Sequence, residues 1–129
     1  DIALAEYVRL RDDLNKRAEH LPLSHLELSI LRNCYFSVGS VLCELSRYEE
    51  AIQAYSIATN RYQSGPESLE AFVRIANCYR ELNRPREARG TLEQAKLALN
   101  RIEPKAPFER TTRFSREEWI GFLDWLSTL

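Results

Sequence analysis

Apolar residues recur at three- and four-residue spacing along most of the chain, and no segment shows the two-residue alternation of a half-buried strand. The last segment is typical, because Trp119, Phe122, Leu123 and Leu126 fall on one face of a helix. Short connections predict that consecutive helices pack antiparallel. The pattern therefore predicts an all-α fold with helices over about 2–20, 24–45, 47–63, 66–82, 85–102 and 115–128.

The predicted helix starts carry a repeated polar signal, in which a Ser is followed three residues later by a Glu. In such a capping box the Ser hydroxyl accepts a hydrogen bond from an early backbone N–H, and the Glu carboxylate accepts from the N–H of the Ser. A further start is expected at Asn83, because Pro85 would then stand in the first turn, where its missing N–H costs nothing. The four predicted boxes are Ser24/Glu27, Ser46/Glu49, Ser64/Glu67 and Ser115/Glu118.

Two helix pairs carry the same apolar pattern, displaced by 37 residues. The first helix of each pair has large residues around one small residue, Gly39 or Ala76, and the second helix has a small–large–small series. Small residues let helices approach closely, and a hairpin of this size buries its apolar face by stacking on a neighbour. The aligned positions are Tyr35, Val38, Gly39, Leu42, Tyr48, Ala51, Tyr55 and Ala58, and then Phe72, Ile75, Ala76, Tyr79, Pro85, Ala88, Leu92 and Ala95.

This pattern resembles the tetratricopeptide repeat family, whose usual period is about 34 residues. The three extra residues fall between the copies, and the segment 62–71 (YQSGPESLEA) is similar to the inter-repeat turn of bacterial cell-envelope members. The resemblance implies an antiparallel helix-hairpin solenoid with about two full repeats and flanking helices. The residues that carry it are Gly39, Tyr48, Ala51, Ile52, Tyr55 and Ala58 in the first copy and Ala76, Ala88 and Ala95 in the second.

A single repeat domain is predicted over 1–129. The N-terminal helix is either half of a truncated repeat or a plain capping helix, and the polar linker is expected to be a solvated loop. The C-terminal helix is expected to cover the last apolar face, or else to dock on another protomer or partner through Trp119, Phe122 and Trp125. The predicted parts are 1–22 (N-terminal helix), 28–65 and 66–103 (repeats), 104–114 (linker) and 115–129 (C-terminal capping helix).

The net charge and its distribution indicate which classes of partner to expect. The 18 basic and 19 acidic side chains are mixed along the chain and sum to −1, so we expect neither a nucleic-acid partner nor attraction to a membrane surface. The longest uncharged run, Asn33–Cys43, is too short for a membrane span, which needs about 20 apolar residues. The chain has no Met and reads as a segment of a longer protein, so the compartment stays open between the cytoplasm and the periplasm or cell envelope of a bacterium.

Catalytic motifs are not found in the sequence. The two histidines, His20 and His25, flank Pro22 and are expected on the surface, and four scattered glycines do not form a phosphate-binding loop. Cys34, Cys43 and Cys78 contain no C-x-x-C pair and are expected to be small buried residues. We therefore expect no enzyme activity, no cofactor and no metal site.

The resemblance implies a concave groove built from the first helix of each pair, which holds an extended peptide or a partner helix. Asn77 matches an Asn with which chaperone-binding members grip a peptide backbone or carboxylate, but Phe36 and Val73 stand where those members carry a Lys. A groove that is partly apolar and partly basic would suit a peptide with hydrophobic and acidic residues. The predicted groove residues are Asn33, Phe36, Ser40, Cys43, Val73, Arg74, Asn77, Arg80 and Glu81.

The predicted function is that of a non-catalytic interaction or scaffold module that binds a protein or peptide in this groove. The alternative is a structural module that self-associates within a larger assembly, so a homo-oligomer is kept as a second expectation.

Overall fold

A computed structural model describes residues 1–129 and is entirely helical, as the apolar pattern predicts. No helix is both long enough and apolar enough to cross a membrane. The chain packs as two compact units, residues 1–58 and residues 59–129, which are described in turn. The seven helices are α1 (Ile2–Ala18), α2 (His25–Glu44), α3 (Tyr48–Arg61), α4 (Glu67–Glu81), α5 (Pro85–Arg101), α6 (Phe108–Thr111) and α7 (Arg116–Leu126).

In the first unit α1 packs against α2. Leu14 is the buried residue of α1, and the amide nitrogen of the neighbouring Asn15 donates a hydrogen bond of 2.9 Å to the hydroxyl of Tyr35. Helix α3 meets α2 where the ring of Tyr55 lies over Gly39: a Cβ atom added to Gly39 would stand 2.7 Å from the ring carbons. The glycine is therefore required by the close approach of these two helices.

Two of the predicted capping boxes are confirmed, at the starts of α2 and α7. The hydroxyl of Ser24 accepts from the N–H of Glu27 at 3.1 Å, and the Glu27 carboxylate accepts from the N–H of Ser24 at 3.0 Å. The backbone hydrogen bond from Ser24 lowers the pKa of Glu27 below its ordinary value of 4.5. Ser115 and Glu118 form the same pair at 3.0 and 3.2 Å.

The predicted starts at Ser46 and Asn83 are wrong, because both residues terminate the preceding helix. Each lies in the left-handed region, with φ of 59° and 60°. After α2, the N–H of Ser46 bonds to the carbonyl of Cys43 and the N–H of Arg47 to that of Leu42, the two bonds of a Schellman motif. After α4 the same bonds recur 37 residues later, from Asn83 to Arg80 and from Arg84 to Tyr79.

The predicted box at Ser64/Glu67 is also wrong. Helix α4 begins at Glu67 itself after Pro66, and no side chain caps it. Ser68 instead donates its hydroxyl to the carbonyl of Gly65 at 2.8 Å. Ser64 lies two residues before the observed N-cap, Pro66, so it does not stand at the capping position.

In the second unit α4 and α5 form the tightly packed hairpin, and α7 packs on α5. Trp119 of α7 is fully buried, and its indole N–H donates to the hydroxyl of Thr112 at 2.8 Å, so α7 covers apolar surface of this unit. The buried cluster comprises Leu69, Val73, Ala76, Ala88, Leu92, Ala95, Leu99, Ile102, Phe108, Trp119, Leu123 and Leu126.

The linker between α5 and α7 is not the solvated loop that its polar sequence predicts. It contains the single helical turn α6, and Phe108 within that turn is buried in the core, as is Ile102 just before the linker. Phe114 packs against the same core, with its ring centroid 5.3 Å from that of Trp119. Two apolar side chains therefore hold this segment against the second hairpin.

The cysteines form no disulfide. Cys34 and Cys78 are buried as small apolar residues, as expected, whereas Cys43 is half-buried. Burial raises the pKa of the Cys34 thiol, which keeps the thiol protonated and unreactive at neutral pH.

Candidate functional site

The second unit has a surface hollow of about 280 Å³ beside α4. Helix α4 supplies Glu70, Val73, Arg74 and Asn77, and the segment between α6 and α7 supplies Arg113. Val73 is only 6% exposed and belongs to the core, so it provides an apolar base. These five residues define the α4 hollow, which brings together three residues of the predicted groove.

Positive charge dominates the predicted binding residues of α4. Arg74 is exposed and makes no hydrogen bond or ion pair, and Arg80 makes one long hydrogen bond, 3.5 Å from its Nη1 to Oδ1 of Asn77. That distance is at the limit of a hydrogen bond, so it neutralises nothing. The amide nitrogen of Asn77 makes no hydrogen bond within the chain and can donate to a ligand. The guanidinium groups of Arg74 and Arg80 have no carboxylate partner.

Arg113 and Glu70 are the residues that sequence reasoning missed. The Nε of Arg113 donates to Oε1 of Glu70 at 2.9 Å across 43 residues of chain, and its guanidinium lies 5.4 Å from the ring centroid of Phe114 and 5.9 Å from that of Phe122. The basic character of the linker was a signal for Arg113, but sequence spacing could not give its partner. The pair is internally compensated, so the net charge of the hollow comes from Arg74.

The remaining predicted groove residues lie outside the hollow. Glu81 is exposed at the end of α4, and Arg80 is half-buried one turn beyond Asn77. In the first unit, α2 carries an exposed Asn33 together with half-buried Phe36, Ser40 and Cys43. The binding role of these residues stays a prediction.

The predicted interface residues of α7 separate into core and surface. Trp119 is fully buried, so it serves the core and presents no area to a partner. Phe122 is half-buried and stacks on Trp125 at a centroid distance of 6.2 Å. Trp125 is 57% exposed and Ile120 is 41% exposed, so these two residues form the apolar surface of the helix.

No group of three or more His, Cys, Asp or Glu side chains is arranged to hold a metal ion. His20 and His25 are both exposed.

Comparison with known proteins agrees with the repeated hairpin. The family model described as tetratricopeptide repeat matches residues 29–96, just over half of the chain. Searches of curated proteins and of solved structures give no match. Tetratricopeptide repeats are generally protein–protein interaction scaffolds without catalytic activity. The chain is all-helical, and its two hairpins share one apolar pattern at a fixed displacement. Together with the family match, these features show that the chain belongs to the tetratricopeptide repeat family.

Proposed function

We propose that the α4 hollow binds a peptide segment of a protein partner, and that the segment presents an acidic residue next to an aliphatic one. The observation that supports this is an apolar base, Val73, beside Arg74, which makes no ion pair. A second arginine without a carboxylate partner, Arg80, lies one turn beyond Asn77 on the same helix. A guanidinium binds a carboxylate through two parallel hydrogen bonds, which gives both affinity and orientation.

Asn77 adds a contact to the peptide backbone. Its side-chain nitrogen carries two N–H donors that make no hydrogen bond within the chain, and it lies between the two arginines along α4. A peptide carbonyl that accepts from this nitrogen would be held with its neighbouring side chain over Val73. The chain would then act as a non-catalytic scaffold, because binding here needs no reacting group.

A display experiment tests the proposal. A library of short random peptides is panned against the wild-type chain and against the Asn77→Ala/Arg80→Glu variant, with Arg89→Glu as the control. Arg89 is an exposed arginine of α5, so its reversal makes the same charge change on a helix that does not line the hollow. We expect the wild type and the control to enrich the same peptides and the double variant to lose them. Equal enrichment by all three, or no enrichment by the wild type, would overturn the proposal.

A second candidate function is self-association through α7. The observation that favours it is the exposed indole of Trp125, 57% accessible and stacked on Phe122. Sedimentation velocity of the wild type and of Trp125→Ala over a range of concentrations tests it. A concentration-dependent dimer that Trp125→Ala abolishes would support self-association, and a monomer at all concentrations would reject it.

A further inference from the structure

We infer that Arg113, which lies outside both repeats, selects for the acidic residue of the partner, and that Glu70 holds the place which the partner's carboxylate takes. This inference rests on the proposed function. It adds to the site a residue of the cap segment and a competing carboxylate of the chain itself.

The geometry holds Arg113 at the hollow in advance of binding. Its guanidinium lies over the rings of Phe114 and Phe122, at 5.4 and 5.9 Å from their centroids. Phe114 and Phe122 both pack against the core of the second unit, so the platform is itself fixed. An arginine stacked on aromatic rings keeps its hydrogen-bonding edge free for a carboxylate.

The bond between Arg113 and Glu70 is suited to exchange. The Arg113 side chain is 62% exposed and that of Glu70 is 30% exposed. A solvated ion pair of this kind contributes little to stability, so a ligand carboxylate can replace Glu70 at small cost. Val73, Arg74 and Asn77 line the same hollow, so a carboxylate bound to Arg113 would also lie near the unpaired charge of Arg74.

If Glu70 competes with the partner's carboxylate for Arg113, substitutions of Glu70 and of Arg113 should have opposite effects on peptide affinity. Glu70→Gln removes the competing negative charge and the repulsion between it and an incoming carboxylate, so an acidic peptide should bind more tightly. Arg113→Gln removes the selected contact, so the same peptide should bind more weakly. If the pair only stabilised the fold, both substitutions would weaken binding, and they would do so for any peptide.

The probe is the tightest acidic peptide that the wild-type chain selects from the library, together with a copy in which every Asp and Glu is replaced by Asn and Gln. Fluorescence anisotropy with labelled peptides gives the affinities. For the acidic peptide we expect about fivefold tighter binding to Glu70→Gln and about tenfold weaker binding to Arg113→Gln. The amide copy should bind both variants within about twofold of the wild type.

Matched controls come from the same linker. Arg110→Gln and Glu109→Gln change the same charges at exposed positions that do not line the α4 hollow, and they should leave both affinities unchanged. Arg113→Lys keeps the charge and loses the planar fork, so it should restore part of the preference. Circular dichroism and the thermal midpoint check that each variant is folded.

Two outcomes would overturn the inference alone: a parallel loss for Glu70→Gln and Arg113→Gln, or no effect of Arg113→Gln on the acidic peptide. The proposed function would survive either of these if Asn77→Ala/Arg80→Glu still abolished binding. Selected peptides without enrichment in Asp or Glu would overturn the inference and the proposed function together. The proposed function would also fall if the double variant bound the peptide normally, so the two failures are distinguishable.

Discussion

The two repeats share a scaffold and differ in the chemistry of the faces that α2 and α4 present. Corresponding positions lie 37 residues apart, and both hairpins end their first helix with the same Schellman motif. The α2 set carries no charge, whereas the α4 set carries three. The two copies therefore share the packing pattern and differ in the charge of this surface, and the proposed carboxylate-binding site lies on the charged copy. The sets are Asn33, Phe36, Ser37, Ser40 and Cys43, and Glu70, Val73, Arg74, Asn77 and Arg80.

The buried residues of the two repeats also differ: where one position carries a larger residue, the corresponding second position carries a smaller one. In the first repeat Gly39 lies under the large ring of Tyr55, and in the second the corresponding residues are Ala76 and Leu92, both in the buried cluster. Ala76 is larger than Gly39 by one methyl group, and Leu92 is smaller than Tyr55. We therefore expect the sizes of the two residues to be coupled, because close-packed interiors have no spare volume.

The largest expected effect comes from removing the cap that closes the second hairpin. Trp119→Ala deletes a fully buried indole and its hydrogen bond to Thr112, and should lower the free energy of unfolding by about 3–5 kcal/mol. Urea denaturation followed by circular dichroism measures it. Trp125→Ala removes an exposed indole from the same helix and should cost about 0.5 kcal/mol or less. Equal losses would show that α7 does not depend on Trp119.

The next largest effect on stability is expected at Gly39 and Tyr55. Gly39→Ala should destabilise by about 1–3 kcal/mol, because the new Cβ would stand 2.7 Å from the Tyr55 ring. Adding Tyr55→Leu recreates the pairing of the second repeat and should recover part of that loss. A double-mutant cycle from urea midpoints gives the coupling between the two sites.

Gly90→Ala is the control for this cycle. Gly90 lies within α5, and nothing stands within 4 Å of a Cβ added there. The substitution should stabilise the chain by about 0.5–1 kcal/mol, since alanine is the better helix former. A destabilising Gly90→Ala, or a harmless Gly39→Ala, would contradict the account of the α2–α3 approach.

A third test exchanges one face position between the repeats. Arg74→Ser installs the residue that stands at Ser37 in the first copy, and should weaken the acidic peptide of the display experiment by about tenfold, or about 1.4 kcal/mol. Ser37→Arg, the reciprocal change, should leave its affinity within about twofold of the wild type, because the proposed site is lined by residues of the second unit. Peptide anisotropy measures both. A change of about tenfold on Ser37→Arg would reject the comparison.

The smallest effect is one of pH. The hydrogen bonds from Arg47, at 2.9 and 2.6 Å, lower the pKa of Glu50 below its ordinary value of 4.5, whereas the corresponding Arg84 and Glu87 stand 3.8 Å apart. A carboxyl group whose pKa is lower in the folded chain contributes stability above its unfolded value and loses it as pH falls through the folded value. Glu50→Gln should therefore lower the urea midpoint slightly at neutral pH and not in acid. A deficit that persisted in acid would contradict this assignment.

Features that depend on neighbouring residues along the chain could be predicted from the sequence. The approximate positions of the six longer helices, the capping boxes at Ser24 and Ser115, and the 37-residue displacement were predicted because hydrogen bonds and apolar periodicity within a helix are local. The sequence also predicted a close helix approach at the small residue Gly39, but its partner, Tyr55, was known only from the structure.

Features that depend on distant contacts, or on where the preceding helix stops, could not be predicted from the sequence. Ser46 looks like a helix start in sequence, but its role as a terminator follows from its left-handed backbone after α2. The burial of Phe108 and Trp119 depends on how α6 and α7 fold back on α5. The bond between Arg113 and Glu70 spans 43 residues, and no local rule links two side chains that meet only because the cap packs beside the second hairpin.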